Sequence, residues 1–302
     1  MPDQPAVHVV FTRETFPLLR LGVYTLQASS ALRFRIVCNG LPENEVEDVA
    51  RFCERFDRVD YLDFPTAGRM LPHGTLLQSL LERESGEWFA FVDSDVFALA
   101  PFQDELDAVL TDADVVSLAD HPVQEGKAQH VGTGGGSSVS PSGLQLAHTF
   151  FAFYRRQAVL DLIRDSGVSL ERYQRQSQIP AAIQAEIPPA DLGKGTFDTG
   201  KLMCVLASLR GLRVRHQPLA PIFHMGRMSV PSLAATETMP ARLRSKRQLR
   251  AFFGEFMLGL HEGKTVAVPA LADEAVHQLL LDVCPRLTDL HTQMLNEMGS
   301  TS

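Results

Sequence analysis

The sequence predicts an α/β protein with a helical tail. Two features of the first 216 residues point to the α/β part: short apolar, β-branched runs alternate with segments of helical apolar spacing, and the run Trp88 to Val92 is apolar at every position, as strands buried on both faces are. The tail is indicated from about Met239 onward, where only helical periodicity remains.

The elements follow in order. Val7 to Thr12 (VHVVFT) is a strand, and Glu14 to Ser30 a helix with Leu18, Leu19, Val23 and Leu26 at near-helical spacing. Phe34 to Cys38 is a second strand closed by Asn39-Gly40, followed by a helix over Pro42 to Phe56 with Val46, Val49, Cys53 and Phe56 on one face. Val59 to Leu62 reads as a short strand, Gly74 to Glu84 as a helix, and Trp88 to Val92 as the next strand. Beyond Phe97 the pattern gives a helix near Asp104 to Leu110, a strand over Asp114 to Leu118, and a Gly/Ser loop from Gly132 to Gly143 expected to be mobile. A strand over Phe150 to Tyr154, helices over Gln157 to Arg164 and Thr199 to Leu209, and a strand over Leu212 to His216 complete the α/β part. In the tail, Leu249, Phe252, Phe253, Phe256, Met257 and Leu260 supply an apolar helical face.

Composition narrows the function classes. With 302 residues, 45% hydrophobic and 21% charged, the chain can bury a sizeable core without staples. Its 36 acidic against 28 basic residues give a net charge of -8, which argues against nucleic acid as a partner. Cys38, Cys53, Cys204 and Cys284 are widely spaced, so neither a zinc ribbon nor a disulfide framework is written, and a reducing cytoplasm is the expected compartment. No apolar run approaches the roughly 18 residues of a membrane helix, and the first residues do not read as a signal peptide.

The chemistry concentrates at Asp93-Ser94-Asp95, where the buried strand leaves the sheet. Ligands of open α/β sheets bind at such carboxyl ends. Residues i and i+2 of an extended segment point the same way, so the two carboxylates can converge on one hard cation, Mg²⁺ or Mn²⁺, that also binds substrate phosphates. A solvated acidic turn is the competing reading of a bare D-x-D, and the apolar strand directly before it weighs against that.

With these residues the sequence resembles the nucleotide-sugar-dependent glycosyltransferases of the GT-A fold, family 2-like, over about Val7 to Met228. The resemblance implies a Rossmann-like mixed sheet flanked by helices, with a C-terminal helical extension. It implies a glycosyltransferase domain over 1–230, with a nucleotide-binding half to about 97 and an acceptor half from about 98, and an extension over 231–302. Asp93, Ser94 and Asp95 would hold the donor diphosphate through Mn²⁺ or Mg²⁺, and Thr12, Arg13 and Asn39 match the base-binding edge. Phe223-His224-Met225-Gly226 is similar to the late H-x-G segment whose His completes the metal site, which makes His224 the third ligand. Asp198, in the segment FDTGKLMCVLASLRGLRV, matches the catalytic base of inverting members. Helix capping is its bland alternative, as a satisfied core histidine is for His224. Phe197 stands where the family's acidic pair has its first acid, and the following Thr-Gly is similar to retaining branches, so both stereochemistries stay open. The expected donor is a nucleoside-diphosphate sugar, UDP favoured, and the acceptor is an unknown hydroxyl.

Arg227, beside the H-x-G, is a phosphate candidate; Arg155 and Arg156 are weaker ones. The Gly/Ser loop fails both the dinucleotide and the P-loop pattern, and could close over donor or acceptor. Arg242, Arg244, Lys246, Arg247 and Arg250 form a basic run that could touch an anionic membrane peripherally, against the commoner role of a solvated helix face. A D-x-D phosphatase wants Thr or Val where Phe97 stands, and a nucleotidyltransferase wants glycines that Phe11 to Leu18 lacks. A non-catalytic nucleotide-sugar-binding protein remains the alternative outside enzymes.

Overall fold

The apolar runs pair into one sheet in the computed structural model, which describes residues 6–65, 68–120, 131–193, 195–226, 241–269, 271 and 274–299, without the side chains of 241–247, 250 and 275. The strands are β1 (Ala6–Phe11), β2 (Arg33–Cys38), β3 (Val59–Asp63), β4 (Trp88–Asp93), β6 (Val115–Ser117), β7 (Phe151–Arg155) and β8 (Val214–His216), in the order β3-β2-β1-β4-β7-β6-β8. All neighbours are parallel except β7, which runs antiparallel to both β4 and β6. The helices between them are α1 (Phe16–Ala28), α2 (Glu43–Cys53), α3 (His73–Arg83), α4 (Gln103–Thr111), α5 (Arg156–Ser166), α6 (Ala181–Glu186), α7 (Pro189–Leu192) and α8 (Lys201–Leu209). This is the mixed sheet flanked by helices that the sequence leads one to expect, and α9 (Ala241–His261) and α10 (Glu274–Gly299) form the C-terminal extension.

The continuous apolar run of β4 has a direct cause. Ala90 and Val92 face a core shared with α1, α2, α9 and α10, whereas Phe89 and Phe91 face a second core built with α3, α5 and α8. Both faces of the strand are therefore dry. Leu249, Phe252, Phe253, Phe256, Met257 and Leu260 of α9 are buried in the first core, so the extension packs on the sheet's own helical layer. At the far end of α10, Tyr24 Oη donates to Glu297 Oε1 at 2.7 Å and ties it to α1.

Two helix starts and one small sheet differ from expectation for local reasons. α1 starts at Phe16 because Glu14 turns the chain with φ of 65°, its N–H held by the Glu45 carboxylate at 2.9 and 3.1 Å, and Pro17 fits the first turn. α8 starts at Lys201 behind Gly200, whose φ of 71° suits glycine. Finally, β5 (Val96–Ala98) and β9 (Ile222–His224) form a two-stranded antiparallel sheet that periodicity does not reveal, each being only three residues long.

Gly22 on α1 lets this small sheet sit where it does. A Cβ at Gly22 would lie 2.7 Å from the Val96 carbonyl and 3.0 Å from that of Ser94. Gly22→Ala is expected to lower stability by about 1–3 kcal/mol, as overpacking does, and to displace Ser94 to Val96. Denaturant unfolding with metal titration checks this; unchanged values on both would contradict the packing role.

Candidate active site

Asp93 ends β4, paired in register with Val10 of β1, and its N–H donates to the Phe150 carbonyl at 2.7 Å. Three residues on, Val96 of β5 pairs with His224 of β9, and Met225 N–H donates to the Asp95 carbonyl at 3.0 Å. The small sheet thus carries His224 from the end of the α/β part to the D-x-D. Its Nε2 lies 3.3 Å from Asp95 Oδ1 and 4.0 Å from Asp93 Oδ2, and its ring packs on Phe150 with centroids 4.1 Å apart. Asp95 and His224 are buried; the Asp93 side chain stays 30% exposed. Burial, then the neighbouring Asp95 and then Asp198, push the Asp93 carboxyl well above the usual carboxylate range.

The Asp198 carboxylate adds to the negative charge that Asp93 feels. Its Oδ2 accepts the Gly135 N–H and its Oδ1 the Thr199 N–H, each at 3.0 Å, with Arg172 Nε at 3.8 Å. It lies two residues before the α8 cap, Gly200, and bonds to the Gly/Ser loop in place of capping the helix. A Cβ at Gly135 would come to 3.0 Å from Asp198 Oδ2, so glycine allows that close approach.

The loop is anchored, contrary to the mobile connection its composition suggests. Buried Asp191 accepts from Ser140 Oγ at 3.1 Å, Ser142 Oγ at 2.6 Å and Ser142 N at 2.8 Å. Thr133 Oγ1 donates to the Thr196 carbonyl at 2.6 Å. Lys201, fully buried at the start of α8, donates from Nζ to the Ser137 and Ala147 carbonyls at 2.6 and 2.7 Å. These anchors are charged or polar side chains from distant segments, which a Gly/Ser composition cannot announce.

Burial pulls the Lys201 ammonium down to about 8, against Cys204 and Asp198. The unfolded chain then binds the extra proton between pH ~8 and ~10.4, so wild-type stability rises with pH across that window. Against a Lys201→Met variant, which lacks the group, wild type is expected to gain up to about 3 kcal/mol between pH 7.5 and pH 10. Denaturant unfolding at both pH values checks this; a pH-independent difference would contradict it.

The other expected residues fall in two places. Arg13 donates to the Gly40 carbonyl at 3.0 Å and to that of Gly68 at 2.8 Å. Asn39 exchanges two bonds with the Leu71 backbone, at 3.0 and 2.8 Å. Thr12, whose N–H donates to Thr15 Oγ1 at 3.2 Å, completes this strand-end edge with the two side chains engaged in holding residues 68–71. Ser94 is buried within the D-x-D turn, and Arg227 lies outside the described residues, as do the side chains of Arg242, Arg244, Lys246, Arg247 and Arg250. Arg155 and Arg156 do not reach the cleft: Arg155 pairs in register with Trp88 at the opposite end of β4, and Arg156 donates to the Leu81 carbonyl at 3.0 Å. One residue the sequence gave no signal for is His73, the first of α3, against Phe91 with centroids 6.1 Å apart. Burial lowers its imidazole to about 4, with Asp198 opposing, so the ring is neutral at pH 7.

No family model matches the chain, and no curated protein does. Among solved structures it is similar to the mannosyltransferase PcManGT from Pyrobaculum calidifontis in complex with GDP-Man and Mn²⁺, at 14% identity over 100% of this chain and 77% of that one, TM-score 0.44. It is also similar to residues 1–349 of TarS from S. aureus in complex with UDP-GlcNAc, at 13% identity over 98% of this chain and 82% of that one, TM-score 0.45. The galactosyltransferase LgtC, in complex with donor and acceptor sugar analogs, matches at 11% identity over 86% of this chain and 97% of that one, TM-score 0.45. With values this low, the site's own residues carry the functional reading.

Those residues fit a divalent cation. Asp93, Asp95 and His224 each offer one ligand atom, all within 4.8 Å of one another. Two carboxylate oxygens and one imidazole nitrogen form a donor set open to Mn²⁺ or Mg²⁺ with further positions free. The carboxylate crowding that raises Asp93 is what a cation would relieve. Among the described residues no helix is long and apolar enough to cross a membrane.

Proposed function

We propose that this chain is a metal-dependent glycosyltransferase that moves a sugar from a nucleoside-diphosphate sugar, UDP favoured, to an acceptor hydroxyl, with Asp198 as base. The observation that supports it most is the convergence of Asp93, Asp95 and His224 at the carboxyl end of β4, with Asp198 close enough to raise Asp93. Asp93, Asp95 and His224 would hold Mn²⁺ or Mg²⁺, which when bound neutralises the leaving diphosphate as a Lewis acid.

The chain's own groups do the rest. Thr12, Arg13 and Asn39 line the edge for the nucleotide base, where Arg13 and Asn39 shape the wall by fixing residues 68–71. Asp198 takes the acceptor proton, and both its oxygens retain lone pairs while two backbone N–H groups fix its orientation. Lys201 and Asp191 hold the loop that presents Gly135 to it. Neutral His73 can donate or accept one hydrogen bond to a sugar hydroxyl.

The test is a panel of UDP-, GDP- and dTDP-sugars with Mn²⁺, following release of the nucleoside diphosphate. Release with at least one donor is expected; donor binding with no release and no transfer would leave a binding protein. The anomeric configuration of the product then decides between single displacement at Asp198 and a retaining route.

A further inference from the structure

We infer that Asp120, His148 and His216 form a second divalent-cation site, of the imidazole-rich kind that takes Zn²⁺. The three residues come from separate segments. Asp120 lies three residues past β6, His216 ends β8, and His148 stands just before β7. Parallel pairing of β6 with β8 sets Ser117 opposite His216 and brings the three together.

Their ligand atoms face one another. His148 Nδ1 is 4.0 Å from Asp120 Oδ1, and His216 Nε2 is 3.9 Å from Asp120 Oδ2, with all three ligand atoms within 4.8 Å. These separations are too long for hydrogen bonds. His148 is 2% exposed and His216 nearly buried. The two rings lie with centroids 3.7 Å apart, and the carboxylate reaches both.

A neighbouring hydroxyl orients one of the two imidazoles. Ser117 Oγ lies 2.9 Å from His216 Nδ1, which orients that ring, and accepts the backbone N–H of His148 at 2.7 Å, which holds its main chain alongside. A hydrogen bond on the non-ligating nitrogen is how metal-binding imidazoles are oriented. His148 Nδ1 is also 3.3 Å from the Ala119 carbonyl, a hydrogen bond that a metal on this nitrogen would replace. Two imidazoles with one carboxylate favour Zn²⁺ over Mg²⁺, which prefers oxygen donors.

The position suggests what the ion does. Phe150 packs against both His148 and His224, with centroids 5.2 and 4.1 Å away, so one phenylalanine ring touches both this triad and the Asp93, Asp95 and His224 cluster. Lys201 ties the carbonyl of Ala147, next to His148, to that of Ser137 in the Gly/Ser loop. A cation here braces the ends of β6 and β8 against the start of β7, and with them the wall of the cleft.

The test is Zn²⁺ stoichiometry by equilibrium dialysis and elemental analysis on the chelator-stripped full chain, with Co²⁺ absorption as a second readout. Wild type is expected to bind two equivalents, Asp95→Asn one, and His216→Gln one. Asp120→Asn, on a side chain 30% exposed and easily accommodated by the fold, is expected to lose the same equivalent and the His-dependent Co²⁺ band. If Asp120→Asn and His216→Gln keep the wild-type stoichiometry and spectrum, the triad is a packed core pair beside a carboxylate and the site does not exist. Neither readout involves sugar transfer, so the result stands apart from the proposed activity.

Discussion

Asp198→Asn is expected to lower turnover by roughly 10²-fold or more, the scale of losing a general base, while donor affinity stays within a few-fold. The side chain is 41% exposed and accepts two backbone N–H bonds, from Gly135 and Thr199. An amide oxygen can keep one of them, and its NH₂ faces the other, so the cost to stability is about 1–2 kcal/mol. A purely structural Asp198 would show that cost with nearly unchanged turnover. Measuring turnover, donor binding and melting temperature on one preparation separates the two, and near-normal turnover removes Asp198 as base.

Asp95→Ala and His224→Ala are expected to weaken Mn²⁺ binding by more than the roughly 10–100-fold typical of losing an outer-shell partner, and transfer should fall with it. The two differ in stability. Asp95→Ala removes a carboxylate that, after burial, raises the half-buried Asp93, so without metal it should leave melting unchanged or slightly higher. His224→Ala removes a buried ring packed on Phe150 and should cost about 1–3 kcal/mol. If His224→Ala shows only the stability loss, with Mn²⁺ affinity intact in the folded fraction, His224 is a core residue.

These predictions rest on features of unequal legibility. β4 was readable because burial on both faces makes every residue apolar, and Asp93 and Asp95 were readable because i and i+2 share a side. His224 stood out only through the resemblance of its H-x-G segment: what places it is the pairing of two three-residue strands, too short for any period. Lys201 reads locally as a helix-start lysine, and Asp191 as one acid in a Pro-rich stretch; their role depends on carbonyls and hydroxyls some 50 residues away along the chain. The same holds for Asp120, His148 and His216, which meet only after β6 and β8 have paired. Composition suggested a mobile loop because glycine and serine tell of backbone freedom, while the restraint comes from elsewhere.

The central claim is that the Asp93, Asp95 and His224 cluster binds a nucleoside diphosphate through a divalent cation. Calorimetric titration of UDP and GDP into the chain, with Mn²⁺ and then with EDTA, tests it most directly. The account predicts binding with Mn²⁺ that is strongly weakened in EDTA and absent in Asp95→Ala; affinity that is equal under both conditions would contradict it.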